Sequence, residues 1–384
     1  MLKDKHILIG ISGGIAAYKI PELIRLLTKA GAEVRVTTTR NALEFVTDTT
    51  LRTLSGHTVY SDVFASVNAH ATEHISLPEW ADLMLVAPAT ANVLAKMAAG
   101  IADDALTTTF AAMRKPVIIA PAMNDKMYQS PATQQAMQQL ASWSNITMLD
   151  CAEGALACGT TGKGRMQEVD VLLEEIYSAF TPKTMQGKRV LITAGPTVEK
   201  IDPVRYISNF STGKMGRALA QECRRRGAQV TLIMGQMSAE QMCREAVNAF
   251  PEADIAILAA AVADYRPSEC AAHKIKKEGD HAERTLSLTE NPDIAATLGA
   301  MKNARQLLIG FALETEHEVE NAQRKLEKKN LDLIVLNSLQ DQGAGFGYDT
   351  NKVTLLRCDG TKKDYPLLSK EAVAQIILDN INPS

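Results

Sequence analysis

The sequence predicts an α/β protein made of two doubly wound, Rossmann-like domains. Three observations carry that expectation. Short apolar runs alternate with helical periodicity, the alternation restarts halfway along the chain, and the packing residues are aliphatic. Apolar residues make up 46% of the 384 residues and aromatics only 5%. Ala, Val, Ile and Leu therefore fill the cores, as parallel sheets covered by helices require. A chain of this length suggests two domains of about 190 residues, each able to bury its own core.

The elements follow in order. His6–Gly10 is a strand run that ends in Ser12-Gly13-Gly14. Helical periodicity covers Ala16–Ala30, and Gly31 stops it. Val34–Thr38, Asp82–Ala87 and Pro116–Ala120 read as strands, and Asp170–Phe180 as a closing amphipathic helix. Residues 181–187 are polar and break the pattern. The predicted organisation is thus a domain over 1–180, a linker over 181–187 and a second domain over 188–384. In the second domain Arg189–Ala194, Gln229–Met234, Ile255–Ala259, Leu307–Phe311 and Leu333–Leu336 read as strands. Met215–Gly227 and the charged stretch Val319–Lys329 read as helices. Doubly wound sheets bind ligands beyond the carboxyl ends of their strands, so the informative residues should follow the strands.

Several classes are excluded. A formal net charge of −3 gives no reason to expect nucleic-acid or membrane binding. The six cysteines (Cys151, Cys158, Cys223, Cys243, Cys270 and Cys358) form no CxxC pair and no zinc spacing. The N-terminus enters a strand almost at once, and no run of about 18 apolar residues could span a bilayer. The cytoplasm is the expected compartment.

Five segments of the first domain could carry chemistry. Gly10-Ile11-Ser12-Gly13-Gly14 opens a helix with small residues, which suits an anion or a tight turn. Ala87-Pro88-Ala89-Thr90-Ala91-Asn92 is either a helix cap or a set of hydrogen-bonding groups for a flat ring. His74 has the side chain best suited to proton transfer near neutral pH, though a lone histidine also serves structural roles. Asn124, in Pro121-Ala122-Met123-Asn124, can orient a carboxylate without adding charge, or make a turn. Residues 154–166 carry Cys158 among four glycines. That composition makes a poor helix and a poor strand, and a plausible mobile flap.

In the second domain, Ala194-Gly195-Pro196-Thr197 follows the first strand and residues 202–216 read DPVRYISNFSTGKMG. The order GxxxxGK[ST] is absent, so this is not a Walker A loop. Asp264 stands at a strand end, where it could bind ribose, a base or a metal ion. Lys274 and Lys276 alternate, which would put them on one face of a strand as cations for a triphosphate or as a solvated edge. Lys325, Lys328 and Lys329 read as a solvated helix face.

Taken together, GISGGIAAYK, His74, APATAN, PAMNDKM and CGTTGKGRM closely resemble the homo-oligomeric flavin-containing cysteine decarboxylase family, across the whole first domain. One departure is APATAN where PASANT is common. TAGPT, DPVRYISNFSTGKMG, AAAVADYRP, HKIKK, ENPDI, GFALET and KKNLDLIVLN resemble the phosphopantothenate–cysteine ligase domain in the same way. The fused order matches the bifunctional enzymes of coenzyme A biosynthesis. The resemblance implies a flavodoxin-like flavin domain followed by a nucleotide-binding domain.

The implied reactions run in sequence. CTP activates the carboxylate of 4′-phosphopantothenate as an acyl cytidylate, and the amine of cysteine displaces CMP. FMN then oxidises the new cysteine side chain to a thioaldehyde, CO2 leaves, and the enethiolate is reduced to 4′-phosphopantetheine.

The resemblance also assigns residues. Ser12, Gly13, Gly14, Thr38, Ala89, Thr90 and Met123 would hold FMN. His74 would be the base of the oxidative half, Asn124 would hold the substrate carboxylate, and Cys158 would donate the final proton. Asn209 would bind the acyl cytidylate, with Arg205 nearby. Ala259, Ala260, Asp264, Lys274, Asn291, Pro292, Phe311, Lys325 and Lys329 would bind CTP, Lys274 also steadying triphosphate charge. A divalent cation, Mg2+ or Mn2+, would bind through the CTP phosphates with no protein cage. A dodecamer is implied, with trimers through the flavin domain and dimers through the ligase domain. The alternatives are an NAD-dependent oxidoreductase, which would want GxGxxG, and a non-catalytic flavin-binding regulatory protein, which would be expected to lack His74 or Cys158.

Overall fold

A computed structural model describes residues 2–64, 72–155, 161–276, 285–314, 316–338 and 347–381. The chain divides into two compact units, Met1–Thr181 and Pro182–Ser384.

The first unit is built on one parallel sheet. Its strands are β1 (His6–Ile11), β2 (Glu33–Thr38), β3 (Val59–Tyr60), β4 (Leu83–Ala89), β5 (Val117–Pro121) and β6 (Ile146–Met148). They lie in the order β3-β2-β1-β4-β5-β6, all parallel. Chain direction across the sheet reverses between β1 and β4, which creates the crevice where such folds bind ligands. The helices are α1 (Ile20–Lys29), α2 (Asp48–Ser55), α3 (Glu73–Trp80), α4 (Ala91–Ala99), α5 (Ala105–Ala112), α6 (Asp125–Gln129), α7 (Pro131–Ala141) and α8 (Val169–Phe180).

Period-2 alternation along β1 divides the core in two. Ile7 and Ile9 pack with α1, α2 and α8 on one face, while Leu8 packs with α3, α4, α5 and α7 on the other. The expected helix over residues 16–30 begins as a 3-10 turn, Ile15–Lys19. The α-helix proper starts at Ile20, with Pro21 in its first turn, where the missing N–H costs nothing. The glycine-rich segment, expected to be a poor strand, is corrected at both ends. β7 (Ala152–Ala155) pairs antiparallel with β8 (Thr161–Arg165), Gly154 opposite Gly162. A hairpin of this kind takes its order from ladder bonds, which the glycines still make.

The second unit repeats the plan with β9 (Arg189–Pro196), β10 (Val198–Lys200), β11 (Tyr206–Ser208), α9 (Lys214–Arg225), β12 (Gln229–Met234), α10 (Ala239–Ala249) and β13 (Ile255–Ala261). It continues through β14 (Tyr265–Pro267), β15 (Leu288–Glu290), α11 (Ile294–Met301), β16 (Leu307–Glu314), α12 (Glu318–Lys328) and β17 (Leu333–Ser338). It closes with β18 (Thr350–Asn351), β19 (Val353–Arg357), β20 (Lys362–Asp364), β21 (Leu368–Ser369) and α13 (Lys370–Ile381). The main sheet runs β12-β9-β13-β16-β17-β19-β20. Its first five strands are parallel, but β19 and β20 add an antiparallel edge that the sequence reading did not foresee. α9 and α13 cover one face, and α10, α11 and α12 the other.

One loop of this unit departs from expectation for a clear reason. Lys274 and Lys276 lie in a segment that forms no strand. The backbone groups of Ile275 are used by side chains instead of a ladder: its N–H donates to Asp202 Oδ2 at 3.1 Å, and its carbonyl accepts from Arg205 at 2.9 Å. Asp202 is buried and also accepts the N–H groups of Val204 and Arg205, both at 2.8 Å. The Arg205 guanidinium beside Asp202 holds its carboxyl well below the usual carboxylate range.

Two predictions follow from the packing. Leu85, fully buried on the central strand β4, should lose about 2–5 kcal/mol of stability as Leu85→Ala, read from urea unfolding. For Asp202 the folded pKa is depressed. Its contribution is therefore present above the unfolded value near 4 and is lost as pH falls below it. Asp202→Asn should lower the melting temperature at neutral pH, and the gap to wild type should narrow as pH drops below about 4. A gap constant with pH would contradict this reading.

Candidate functional sites

The carboxyl ends of β1, β2, β4 and β5 open into a cleft of about 1010 Å³. Gly13 and Gly14 form one wall, Thr39, Arg40 and Asn41 another, and Thr90, Asn92, Met123 and Asn124 the floor beside them. Close approach explains the glycine at 13: a Cβ there would stand 2.6 Å from Asn41 Cβ, so the turn closes only without a side chain. Ser12 is buried behind the wall. Its hydroxyl donates to the Pro88 carbonyl at 2.7 Å and accepts from the Thr90 N–H at 3.0 Å, tying the first turn to the fourth strand. Ala89 is likewise buried, its carbonyl accepting from Ala122 at 2.9 Å. The Met123 N–H donates to Gly164 at 2.9 Å, so β8 lies over the Asn124 end of the cleft.

Polar groups in and beside the cleft suit a polar ligand. The hydroxyls of Thr37, Thr38 and Thr39, at the end of β2, are buried with no hydrogen-bond partner among the described residues. Leaving such groups unpaired costs stability, and ligand oxygens or ring nitrogens would satisfy them. Asn124 caps α6 by accepting from the Lys126 N–H at 2.9 Å. Three of the cations around the cleft are paired, and Arg40, which also lines it, has no ion pair among the described residues. Lys19 and Arg165 share Glu168, at 2.6 and 2.7 Å, and Lys96 pairs with Asp103 at 2.7 Å.

The sequence-derived set is partly gathered here. Gly13, Gly14, Thr90, Met123 and Asn124 line the cleft, and Ser12, Thr38 and Ala89 back it. His74 does not line it; the residue lies half-buried in the first turn of α3. Cys158 lies outside the described residues. The buried thiol of Cys151 is pushed up to about 12 by burial, so it is no thiolate at neutral pH. Lys19, Arg40, Asn41, Lys96 and Arg165 were not singled out beforehand. Arg40 and Asn41 sit just after a predicted strand, and the strand-end rule applied to β2 finds them.

In the second unit a smaller cavity, about 120 Å³, lies at the carboxyl ends of β13, β16 and β17. Ser211–Gly216 at the start of α9, Ala259–Ala261, Phe311–Leu313, Asn337, Asn351 and Lys370 line it. A Cβ on Gly216 would lie 2.3 Å from Ala194 Cβ, so glycine lets α9 seat against β9. Asn209 hangs beside the cavity, its amide donating to the carbonyls of Ala261 and Val262 at 3.1 and 3.2 Å.

Ala259, Ala260 and Phe311 are therefore brought together, and the other expected residues stand apart. Asp264 is exposed, and its carbonyl accepts from the Asn291 N–H at 2.8 Å. The Asn291 amide bonds Ala263 at 2.8 Å. Pro292 borders a separate depression with Glu240, Cys243 and Arg244. Lys325 pairs with Glu314 at 2.6 Å and Lys329 with Asp293 at 2.9 Å. Arg205 and Lys274 belong to the Asp202 loop. Among the described residues no group of three His, Cys, Asp or Glu could hold a metal ion, and no helix is long and apolar enough to cross a membrane.

Comparison with known proteins matches both halves in order. Residues 1–181 match the family described as Flavoprotein, and residues 185–383 the DNA/pantothenate metabolism flavoprotein C-terminal domain. The chain is 45% identical over 399 residues to the coenzyme A biosynthesis bifunctional protein CoaBC of Bacillus subtilis (strain 168), covering 99% of this chain and 97% of that one. It is 42% identical over 397 residues to the protein of the same name from Escherichia coli (strain K12), with the same coverage. It is also 46% identical over 356 residues to a cysteine/cysteine sulfinic acid decarboxylase of an unknown prokaryotic organism, covering 88% of this chain and 98% of that one. Matched along its whole length and in both domains, the chain belongs to the family of bifunctional coenzyme A biosynthesis proteins.

Proposed function

We propose that this chain makes 4′-phosphopantetheine in two stages, ligation in the second domain and decarboxylation in the first. The observation that carries the reading is the pair of strand-end sites in one chain, each lined by a glycine where no side chain fits, within a full-length family match.

In the second domain CTP converts the carboxylate of 4′-phosphopantothenate into an acyl cytidylate, releasing pyrophosphate. The amine of cysteine then forms the amide and releases CMP. Activation is needed because a carboxylate anion resists nucleophiles. Asn209, exposed next to the cavity, holds the acyl cytidylate, and the Ser211–Gly216 turn meets the nucleotide. A divalent cation such as Mg2+ would be held through the phosphates of CTP, with no protein cage, and would offset their charge.

In the first domain FMN, when bound, supplies a reversible two-electron acceptor. Ser12, Gly13, Gly14, Thr38, Ala89, Thr90 and Met123 form its bed. Asn124 orients the substrate carboxylate, and His74 takes a proton from the cysteinyl side chain as it becomes a thioaldehyde. The carbon–carboxylate bond then breaks, CO2 leaves, and the electron pair rests on the enethiolate. Cys158 gives the proton that completes reduction.

Residues that stand off their own chain's sites act in a homo-oligomer. We place His74 of one protomer at the cleft of another within trimers, and Arg205, Lys274, Asp264, Asn291, Pro292, Lys325 and Lys329 around nucleotide sites completed in dimers. Exposed Ile15, Tyr18 and Met127 at the first cleft support the trimer. Exposed Val204, Tyr206, Phe210, Tyr265 and Leu288, on or beside the β10–β11 and β14–β15 hairpins, support the dimer.

Single-turnover assays with 4′-phosphopantothenoylcysteine separate the first domain's roles. Cys158→Ser should release CO2 and accumulate an enethiol two hydrogens lighter than the normal product. His74→Asn should slow CO2 release by about 10²–10⁴. If Cys158→Ser released no CO2, or His74→Asn released it at the wild-type rate, these assignments would be wrong.

A further inference from the structure

We propose that Tyr128, Asp150 and Lys163 are positioning residues of the first site: together they clamp the turn that carries Asn124 to strand β8, so that the Asn124 amide meets the substrate carboxylate in one orientation. The inference rests on the assignment of Asn124 to that carboxylate. The three residues come from three places, Tyr128 in α6, Asp150 just after β6 and Lys163 in β8. The Tyr128 hydroxyl donates to Asp150 Oδ1 at 2.9 Å, and the Lys163 ammonium donates to Asp150 Oδ2 at 2.5 Å. The same ammonium stands 5.4 Å from the centre of the Tyr128 ring, which closes the triangle. Asp150 is itself tied down: its Oδ1 accepts from the Cys151 N–H at 3.0 Å and its carbonyl from Gln167 at 2.9 Å.

The helix that carries this turn cannot hold itself. α6 is five residues long and buries none of them, and a helix so short has no stability of its own. Its order comes from outside ties. The Tyr128 N–H donates to the Asn124 carbonyl at 2.9 Å, so fixing the Tyr128 side chain fixes Asn124 one turn earlier. On the other side β8 lies directly on the turn. The Met123 N–H donates to the Gly164 carbonyl at 2.9 Å, and a Cβ on Gly164 would stand 2.4 Å from the Met123 oxygen. A Cβ on Gly162 would stand 2.9 Å from Asp125 Cβ. The Lys163 ammonium, against the cost of burial, holds the Asp150 carboxyl below the usual carboxylate range, and the Tyr128 hydroxyl adds to this. Bonds to such a carboxylate are the short, strong kind. With Asp150 61% and Lys163 34% exposed, the ion pair adds little to global stability, so breaking it should disturb the turn and leave the fold intact.

The test is a double-mutant cycle on CO2 release from 4′-phosphopantothenoylcysteine by the full chain with FMN bound. Lys163→Ala and Asp150→Asn break the clamp, and Tyr128→Phe removes one hydroxyl while keeping the ring. Each should lower kcat/KM for CO2 release about tenfold, less than the roughly 10²-fold that a displacement of about 1 Å can cost. CMP release by the second domain should stay at the wild-type rate. Lys163→Arg, which keeps the charge, should recover most of the loss. Amide hydrogen exchange over residues 123–129 should quicken in the three clamp variants, with or without FMN. Combined with Asn124→Ala, Lys163→Ala should cause no further loss, because a residue that acts through Asn124 adds nothing once that amide is gone. Wild-type CO2 release or unchanged exchange in the folded variants overturns the proposal, as do losses that multiply in the double variant. If Asn124→Ala alone released CO2 at the wild-type rate, the Asn124 assignment itself would fall, and the proposal with it.

Discussion

Both sites depend on backbone passing closer to its neighbours than a side chain permits. At Gly13 the turn after β1 lies against Asn41, and at Gly216 the start of α9 lies against Ala194. Any Cβ at either position would meet an atom at 2.6 Å or less. The first contact brings the turns after β1 and β2 together at one edge of the cleft, and the second seats α9 against β9. Each cavity is thus lined by a glycine at a place where no side chain fits.

The two sites then differ in how charge is handled. The first cleft carries its own compensation, with Glu168 between Lys19 and Arg165 and with Asp103 on Lys96. Arg40 is left without an ion pair among the described residues, beside the unpaired hydroxyls of Thr37, Thr38 and Thr39. That arrangement suits a ligand with a polar ring and a single anionic group. The second cavity has two ammonium groups and no lining carboxylate among the described residues, which suits a polyanion.

Much of this was legible in the sequence because a buried parallel strand is a continuous apolar run and its end is marked by small residues. β1, β4, β5, β9 and β13 show this, and the turns after β1 and β5 carry the cleft-lining Gly13, Gly14 and Asn124. What was not legible depended on partners distant in the chain. The segment at Lys274 alternates like a strand, but Asp202 and Arg205, some 70 positions earlier, take the backbone bonds of Ile275. The β19–β20 edge is short and half exposed, so its pattern is weak. Lys370 opens an ordinary amphipathic helix, and only the fold brings it to Lys214. His74 shows the opposite limit: its motif is clear, yet within its own chain it lies away from the cleft.

The most direct measurement is a mass-spectrometric time course of the purified protein given 4′-phosphopantothenate, cysteine, CTP and Mg2+. The account predicts CMP and phosphopantothenoylcysteine first, then 4′-phosphopantetheine with loss of CO2. A cysteine adduct that formed and persisted would contradict the decarboxylase half, and no CMP at all would contradict the ligase half.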